Sequence, residues 1–292
     1  TVNGNVSVDG GTIKLDGNYP TGTRNVALGD GALDDGSLTG GCNVAIGNNA
    51  LTSNTSGVQN TAVGEQAMYN NTTGASNTAV GKDSLVANTT ANNNAAFGFE
   101  SLKANTTGTD NTAIGQQALF ANTTGFNNAV LGSCAMIANT EGGKNTSIGM
   151  SSLRCNLTGC SNTAVDNTAV GTSALTANTT GLRNVALGVN ALDANTTAND
   201  NTAVGTSSLT ANTTGDFNTA VGKSALSANT TGRFNTGLGT LALQNNTTAN
   251  NNTAVGYYAL ILNTTGTENV AVGSAVLDAN TTGSCNTAVG TL

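Results

Sequence analysis

A five-residue motif recurs at every seventeenth position along most of the chain. The motif reads N-[TV]-A-[VIL]-G, and the full unit is close to N-T-A-V-G-x-x-A-L-x-A-N-T-T-G-x-x. A fixed period of this length indicates a repeat architecture in which each unit contacts only its neighbours. Positions within the unit are numbered from the motif asparagine, which occurs at Asn25, Asn43, Asn60, Asn77, Asn94, Asn111, Asn128, Asn145, Asn167, Asn184, Asn201, Asn218, Asn235, Asn252, Asn269 and Asn286.

Two spacings depart from this period. Asn43 follows Asn25 one position later than the period requires, and Asn167 follows Asn145 five positions later than it requires. Residues 162–166 repeat the start of the motif, so we predict a five-residue bulge out of one coil rather than a domain boundary.

Residues 1–24 lie outside the repeat. Residues 6–8 and 12–15 alternate apolar and polar side chains around Asp9-Gly10-Gly11, a pattern typical of a hairpin. The sequence therefore predicts an N-terminal cap over 1–24 and a repeat domain over 25–292.

The unit is too short for two helices and a turn. Glycine at position 5 and usually at position 15, with β-branched residues at positions 2 and 4, favours two short strands separated by turns. We predict an all-β parallel β-solenoid, a β-roll of about 15–16 coils, and at about 4.8 Å per coil a rod of about 75 Å.

Rows of equivalent residues then run along the rod. Position 4 is always apolar and position 9 is Leu or Met, so both rows are expected to point inward. The alanines of position 3 are expected to face outward, either for close approach of another layer or as part of a tight turn. The asparagines of position 1 are expected to form a hydrogen-bonded ladder. One Leu and one Val per coil bury little apolar surface, which favours association of several chains.

Composition excludes several classes of function. Charged residues make up only 9% of the chain, against about 25% in average proteins, and the net charge is −7. Nucleic-acid binding requires a basic patch, and anionic membranes attract basic segments. No apolar run approaches the roughly 20 residues of a membrane span. We expect neither nucleic-acid binding nor membrane insertion.

The sequence offers no catalytic, cofactor or metal site. It contains no histidine, which removes the commonest general base and zinc ligand. Acidic residues are scattered, the calcium repeat G-G-x-G-x-D is missing, and no G-K-[ST] follows the glycine-rich stretches. We expect a protein that is not an enzyme.

Position 12 opens an N-x-[ST] sequon in thirteen of the fourteen coils that start at Asn43 to Asn269. This pattern predicts N-glycosylation, but Asn-Thr-Thr-Gly is also favourable turn chemistry, and both interpretations stay open. The candidate acceptors are Asn54, Asn71, Asn88, Asn105, Asn122, Asn156, Asn178, Asn195, Asn212, Asn229, Asn246, Asn263 and Asn280.

Two smaller features are candidate sites. Cys155 and Cys160 flank a turn and could form a disulfide, although inert thiols are the alternative. Phe217 and Phe234 occupy the same position of adjacent coils, and Tyr257 and Tyr258 are neighbours. Such aromatic residues could contact a sugar or a neighbouring chain, or merely cover a coil edge.

The motifs N-T-A-V-G and N-V-A-I-G resemble the N-S-V-A-I-G repeat of YadA-like trimeric autotransporter adhesin heads. With A-L-x-A-N-T-T-G, the longer unit resembles repeats of bacterial surface proteins and phage-type tail fibres. The resemblance covers residues 25–292 and implies a left-handed β-roll, commonly a homotrimer, in an extracellular, cell-surface or virion-surface fibre. The adhesin repeat is shorter than the unit of this chain, so the extra residues must enlarge a turn.

The leading functional hypothesis is a structural or adhesive rod segment of an extracellular fibre or surface filament. The partner would be the chain itself, as a homotrimer or an end-to-end filament, with a host-surface glycan or matrix protein as a further partner. Alternatives are a glycan- or receptor-binding shaft of a phage-type fibre and a self-assembling glycosylated filament subunit. Ice binding is a minor alternative, because the threonines at positions 13 and 14 point opposite ways instead of forming a flat T-x-T array.

Overall fold

A computed structural model describes residues 24–156 and 167–291 as a single stack of coils. All sixteen strands have three residues and pair in parallel in one sheet, in chain order, and these residues include no helix. The predicted parallel β-solenoid is therefore confirmed. The strands are β1 Val26–Leu28, β2 Val44–Ile46, β3 Thr61–Val63, β4 Thr78–Val80, β5 Ala95–Phe97, β6 Thr112–Ile114, β7 Ala129–Leu131, β8 Thr146–Ile148, β9 Thr168–Val170, β10 Val185–Leu187, β11 Thr202–Val204, β12 Thr219–Val221, β13 Thr236–Leu238, β14 Thr253–Val255, β15 Val270–Val272 and β16 Thr287–Val289.

Strand register follows the sequence repeat. Each motif residue pairs with its equivalent in the next coil, as Ala62 does with Ala79. The register also holds across the irregular coil, where Thr146 pairs with Thr168. The extra residues of that coil thus leave the stack aligned. The predicted bulge at 162–166 and the predicted cap, apart from Arg24, lie outside the described residues.

Each coil contains one strand, and the prediction of two was wrong. The rest of the coil is a series of turns bound to the next coil through the backbone. The Met68 N–H donates to the Ser84 carbonyl at 3.0 Å, and the Thr72 N–H donates to the Thr89 carbonyl at 2.9 Å. Turns and strands therefore both stack coil on coil, and together they close a narrow ring.

Left-handed backbone explains why no second strand forms. In every described coil the Leu or Met of position 9 has φ between 48° and 54°, which bends the chain before a strand can extend. This conformation costs an L-residue about 1–2 kcal/mol. Burying the same side chain is worth about 1.5–3 kcal/mol, and its N–H is paired with the next coil, so the strain is offset where it arises.

The interior is filled from positions 3, 8 and 9. Position 9 points inward as predicted, with Leu85 and Leu209 fully buried, and position 3 points inward too, with Ala62 and Ala79 fully buried. The expectations for positions 3 and 4 were thus reversed. A ring with a single three-residue strand is so narrow that the Leu of position 9 fills most of it and leaves space opposite for a small side chain, which is alanine in most coils and Val130 in one. Strand alternation then turns position 4 outward.

Two columns of asparagine line the interior. Each position-1 side chain bonds along the stack, as the Asn77 backbone N–H donates to Asn60 Oδ1 at 3.0 Å, so the predicted ladder is confirmed. A second ladder runs through position 12, where Asn71 Nδ2 donates to Asn54 Oδ1 at 2.8 Å. Both columns converge on the position-15 carbonyl: Asn60 Nδ2 and Asn71 Nδ2 donate to the Gly74 oxygen at 2.7 and 3.1 Å.

The irregular coil interrupts one ladder only. Position 12 remains continuous, since Asn178 Nδ2 donates to Asn156 Oδ1 at 3.1 Å across the longer spacing. By contrast, Asn145 Oδ1 is buried without a hydrogen-bond partner within the described part of the chain. An unpaired buried acceptor costs about 1–3 kcal/mol, so the position-1 ladder is expected to be less stable at Asn145 than at its equivalents that are paired.

Candidate functional site

The outward side chains of positions 2, 4 and 6 form one continuous surface along the rod, here called the outer strand face. Position 2 carries Thr, Val or Ala and position 4 carries only apolar residues. The position-4 row consists of Leu28, Ile46, Val63, Val80, Phe97, Ile114, Leu131, Ile148, Val170, Leu187, Val204, Val221, Leu238, Val255, Val272 and Val289.

These apolar side chains are substantially exposed. Phe97 is 39% exposed, Leu131 47% and Leu187 46%, although each follows a fully or almost fully buried position-3 residue. The contrast arises because successive strand residues point to opposite sides of the sheet. Since the sheet is parallel and in register, the exposed side chains form straight columns rather than scattered spots.

The outer strand face is large for a free monomer. Fifteen steps between the sixteen strands, at about 4.8 Å each, give a length of about 72 Å. At a width of roughly 10 Å, its flat area is on the order of 700 Å². Monomeric proteins rarely expose an apolar patch above about 300–600 Å², and a stable interface buries about 800 Å² per partner. The face is therefore close in area to one partner's side of a stable interface, and the position-4 row is its apolar part.

Charged groups lie beside the rows of positions 2 and 4 and not in them. Positions 2 and 4 carry no charged residue in any of the sixteen strands. At position 6, Lys82 Nζ contacts Glu65 Oε2 at 3.0 Å, and this hydrogen bond raises the pKa of Lys82. At position 7, Glu100 accepts from Lys103 at 2.6 Å and from Gln117 at 2.8 Å, which lowers the pKa of Glu100. The ion pairs join adjacent coils or residues of one turn, and positions 2 and 4 stay uncharged.

The sequon asparagines point into the coil. Twelve of the thirteen have no exposed surface, and only Asn280, in the last complete coil, is half-buried. In Asn71, both hydrogens of Nδ2, the atom that would carry a glycan, are donated, one to Asn54 and one to Gly74. A glycan therefore requires the folded coil to open. The geometry fits the turn interpretation, and glycosylation stays a prediction that an unmodified intact mass of 28.7 kDa would remove.

The threonines that follow these asparagines have separate roles. At position 13, Thr72 Oγ1 donates to the Thr89 carbonyl at 3.0 Å, whereas Thr73 at position 14 is exposed. The hydroxyl two places after the asparagine thus faces solvent. The outward threonine row is at position 2 of the strands, which sequence reasoning did not consider for ice binding.

The predicted disulfide stays a prediction. Cys155 is a half-buried free thiol, and Cys160 lies outside the part of the chain that the structure describes. Elsewhere, exposed Cys285 lies 3.5 Å from Glu268 Oε2, and hydrogen bonding to this carboxylate raises the pKa of the thiol. A raised pKa makes the reactive thiolate scarcer.

The two phenylalanines meet as predicted. The Phe217 and Phe234 rings stack with centroids 5.1 Å apart and planes 2° apart, and they are 45% and 51% exposed. The Arg233 guanidinium lies 5.9 and 5.4 Å from the two centroids and binds Asp216 at 2.9 Å. Each ring therefore uses one face on the other ring, and their charged neighbour is already paired.

The tyrosine pair is also in contact. The rings of Tyr257 and Tyr258 have centroids 4.1 Å apart and are tilted by 56°, and their hydroxyl hydrogen bond raises the pKa of Tyr257. Tyr257 belongs to the outer strand face at position 6 and is 55% exposed. This pair borders the apolar rows, whereas the phenylalanine pair lies at position 17.

Groups suited to metal binding do not cluster in the described coils: no three His, Cys, Asp or Glu side chains come together there. Residues 24–156 and 167–291 also contain no helix long and apolar enough to cross a membrane. Comparison with protein-family models, with curated proteins and with solved structures finds no match to this chain.

Proposed function

We propose that the chain is a non-catalytic structural rod that associates with copies of itself through the outer strand face, as a segment of an extracellular fibre. The observation that carries the proposal is the uncharged apolar row of position 4, which runs through all sixteen strands and is exposed or half-exposed in each of them. Water is excluded from such a row most simply by another copy of the same row, because every coil then finds an equivalent partner.

A cyclic homotrimer is the assembly we propose. The resemblance to trimeric adhesin heads supports three copies, and a three-fold axis parallel to the rod would bring three flat faces together along their full length. The same resemblance supports a location at a cell or virion surface. The roles of spacer and adhesive follow from a rod whose length grows with coil number while its cross-section stays constant.

Light scattering after size exclusion tests the proposal. We expect a mass three times the 28.7 kDa of one chain, and rods of about 72 Å in electron micrographs. Leu187→Lys with Val204→Lys places two charges in adjacent coils of the apolar row and should yield monomers. As a matched control, Thr197→Lys with Thr214→Lys adds the same charges at exposed position 14 and should leave the trimer intact.

Two results would overturn the proposal: a wild-type mass of 28.7 kDa at every concentration, or full association of the variant charged in the apolar row. Long polymers instead of discrete rods would favour an end-to-end filament, because open solenoid ends expose strand edges that can stack.

Ice binding is a second candidate, favoured by one specific observation. Threonine occupies outward position 2 in ten of the sixteen strands, beside Val, Ile or Leu at position 4 on the same side, and the parallel in-register sheet repeats this pattern from coil to coil. This use requires the face to remain open in a monomer. Thermal hysteresis from a 28.7 kDa species would support it, and its absence would eliminate it.

A further inference from the structure

The outer strand face is almost uniform from coil to coil, and this uniformity creates a problem for association. Two copies that shift by one coil, about 4.8 Å, would again oppose threonine and valine columns and lose only the end coils. Repetitive strands with weakly specified register are prone to slip. An assembly with a defined length needs some position at which a shifted arrangement does not fit.

Two strands break the uniformity. Position 2 is Thr or Val in every strand except β5 and β7, where it is Ala95 and Ala129. These same strands carry Phe97, the only phenylalanine of the position-4 row, and Leu131, which is 47% exposed. The smallest residue of one row thus lies beside a large residue of the other, twice within three consecutive strands.

The depressions and the projections are both open to solvent. Ala129 is exposed and Ala95 is half-exposed, while Phe97 is 39% exposed. Position 2 and position 4 lie on the same side of the strand, roughly 7 Å apart. In an isolated rod, a small residue at position 2 beside a large residue at position 4 adds no stability, because both face solvent. In a packed interface, the same pairing allows the large side chain of one copy to fill the space above the small one of another.

We propose that Phe97 with Ala95, and Leu131 with Ala129, are complementary contacts between neighbouring copies that fix the coil register of the assembly. The inference rests on the proposed self-association. Around a three-fold axis the same coil of each copy lies at the same level, and position 4 of one copy faces position 2 of the next. The Phe97 ring then enters the space above the neighbour's Ala95.

A shift of one coil removes this fit. Phe97 would then oppose Thr78 or Thr112, which are larger than alanine, and Ala95 would oppose Val80 or Ile114 and leave a void. Overpacking and cavities in an interface are both destabilising. The two contacts lie two coils apart. A shift of one coil therefore brings neither Phe97 nor Leu131 opposite an alanine, and both contacts are lost.

Mixing of complementary variants tests the inference. Ala95→Phe fills the space and Phe97→Ala removes the side chain that enters it, so each variant alone should associate roughly ten- to a hundredfold more weakly. Mixed in equal amounts with different mass labels, the two should form mixed assemblies in preference to the statistical distribution. Phe234→Ala, the same substitution off the outer strand face, should change neither association nor mixing.

The outcomes separate the two proposals. A wild-type protein that stays at 28.7 kDa overturns the proposed function and this inference with it. A wild type that associates, combined with statistical mixing of the two variants, overturns the register contact alone, since packing of Phe97 on Ala95 within one chain gives no preference between chains. Circular dichroism of each separate variant should match wild type, because both positions are exposed or half-exposed.

Discussion

Replacing two glycines of one coil by alanine should change the stability of that coil in opposite directions. Gly237 occupies inward position 3, where the adjacent coils carry the fully buried Ala220 and Ala254. Gly239 occupies position 5, with φ of +137°. Replacing either by alanine adds one methyl group at sites only two positions apart, so the two variants have the same composition, charge and hydropathy.

The magnitudes follow from the surroundings of the added Cβ. At Gly237 the new atom would lie 3.2 Å from the Ala242 carbonyl oxygen and 3.4 Å from Leu226 Cγ, a tight contact that the neighbouring alanines already accept. Reduced unfolded-state entropy gives about 0.4–1 kcal/mol and the buried methyl about 0.8 kcal/mol, so we expect a net stabilisation of about 1 kcal/mol.

At Gly239 the added Cβ would lie 2.5 Å from the Gly256 carbonyl oxygen, a backbone atom of the next coil that cannot move away alone. The glycine-only backbone conformation adds about 1–3 kcal/mol. We expect a destabilisation of about 3 kcal/mol or more.

Hydrogen exchange is the appropriate assay, because a repeat rod opens locally and a global melting temperature averages over all coils. The reporter is the Leu226 N–H, which donates to the Ala242 carbonyl at 3.0 Å. Its exchange should slow about fivefold in Gly237→Ala and accelerate by about a hundredfold or more in Gly239→Ala. Similar acceleration in both variants would refute the inward assignment of position 3.

Three further predictions concern single residues. Asn212→Ala should destabilise its coil by about 2–4 kcal/mol, as measured by hydrogen exchange of the amides in that coil, because three buried partners each lose a hydrogen bond, whereas exposed Thr214→Ala should stay within about 0.5 kcal/mol. Leu226→Ala should cost about 2–5 kcal/mol by the same measurement, and a cost below about 1 kcal/mol would argue against a packed interior. The lowered pKa of Glu100 means that its stabilisation is present above the unfolded pKa of about 4.3 and is lost as the pH falls through the lower folded value. Acid melting curves should therefore show a small advantage of wild type over Glu100→Gln that disappears below about pH 4, and an advantage that persists there would contradict the assignment.

The period of the sequence was sufficient to predict the stacked coils. Regular spacing of the motif asparagine predicts one turn per unit, and the invariant Leu or Met of position 9 identifies one buried column, as Leu85 confirms. The position-1 ladder was predictable for the same reason, since identical amides at one level per coil can bond along the stack. These features could be predicted because each depends only on equivalent residues of successive coils lying above one another.

Features within a coil could not be predicted from period alone. The rule that larger apolar residues are buried failed at Val63 and Phe97, because it ignores how narrow a ring with one strand must be. The left-handed backbone at position 9 was also missed, since leucine normally avoids it. The glycine at position 5 and the near-invariant alanine at position 3 were the informative residues, because both indicate a narrow ring with little room for larger groups.

The asparagines of position 12 illustrate a different limit. A glycosylation sequon and a turn with a buried asparagine can have the same sequence, and only the structure distinguishes the two. Asn71 has no exposed surface and donates to both Asn54 and Gly74. The column could have been suspected from its regularity, because a ladder requires asparagine in every coil, whereas glycan decoration of a rod does not.

Covalent footprinting of the protein in solution tests most directly whether another copy covers the outer strand face. Phe97 and Phe217 have nearly the same exposure in the single chain, 39% and 45%, so a carbene probe would label them to a similar extent on a free rod. If copies pack through the outer strand face, Phe97 and Leu131 will be protected while Phe217 stays labelled, and all three will label alike after dissociation by charges in the apolar row. Equal labelling of Phe97 and Phe217 in the untreated wild-type protein would contradict the account.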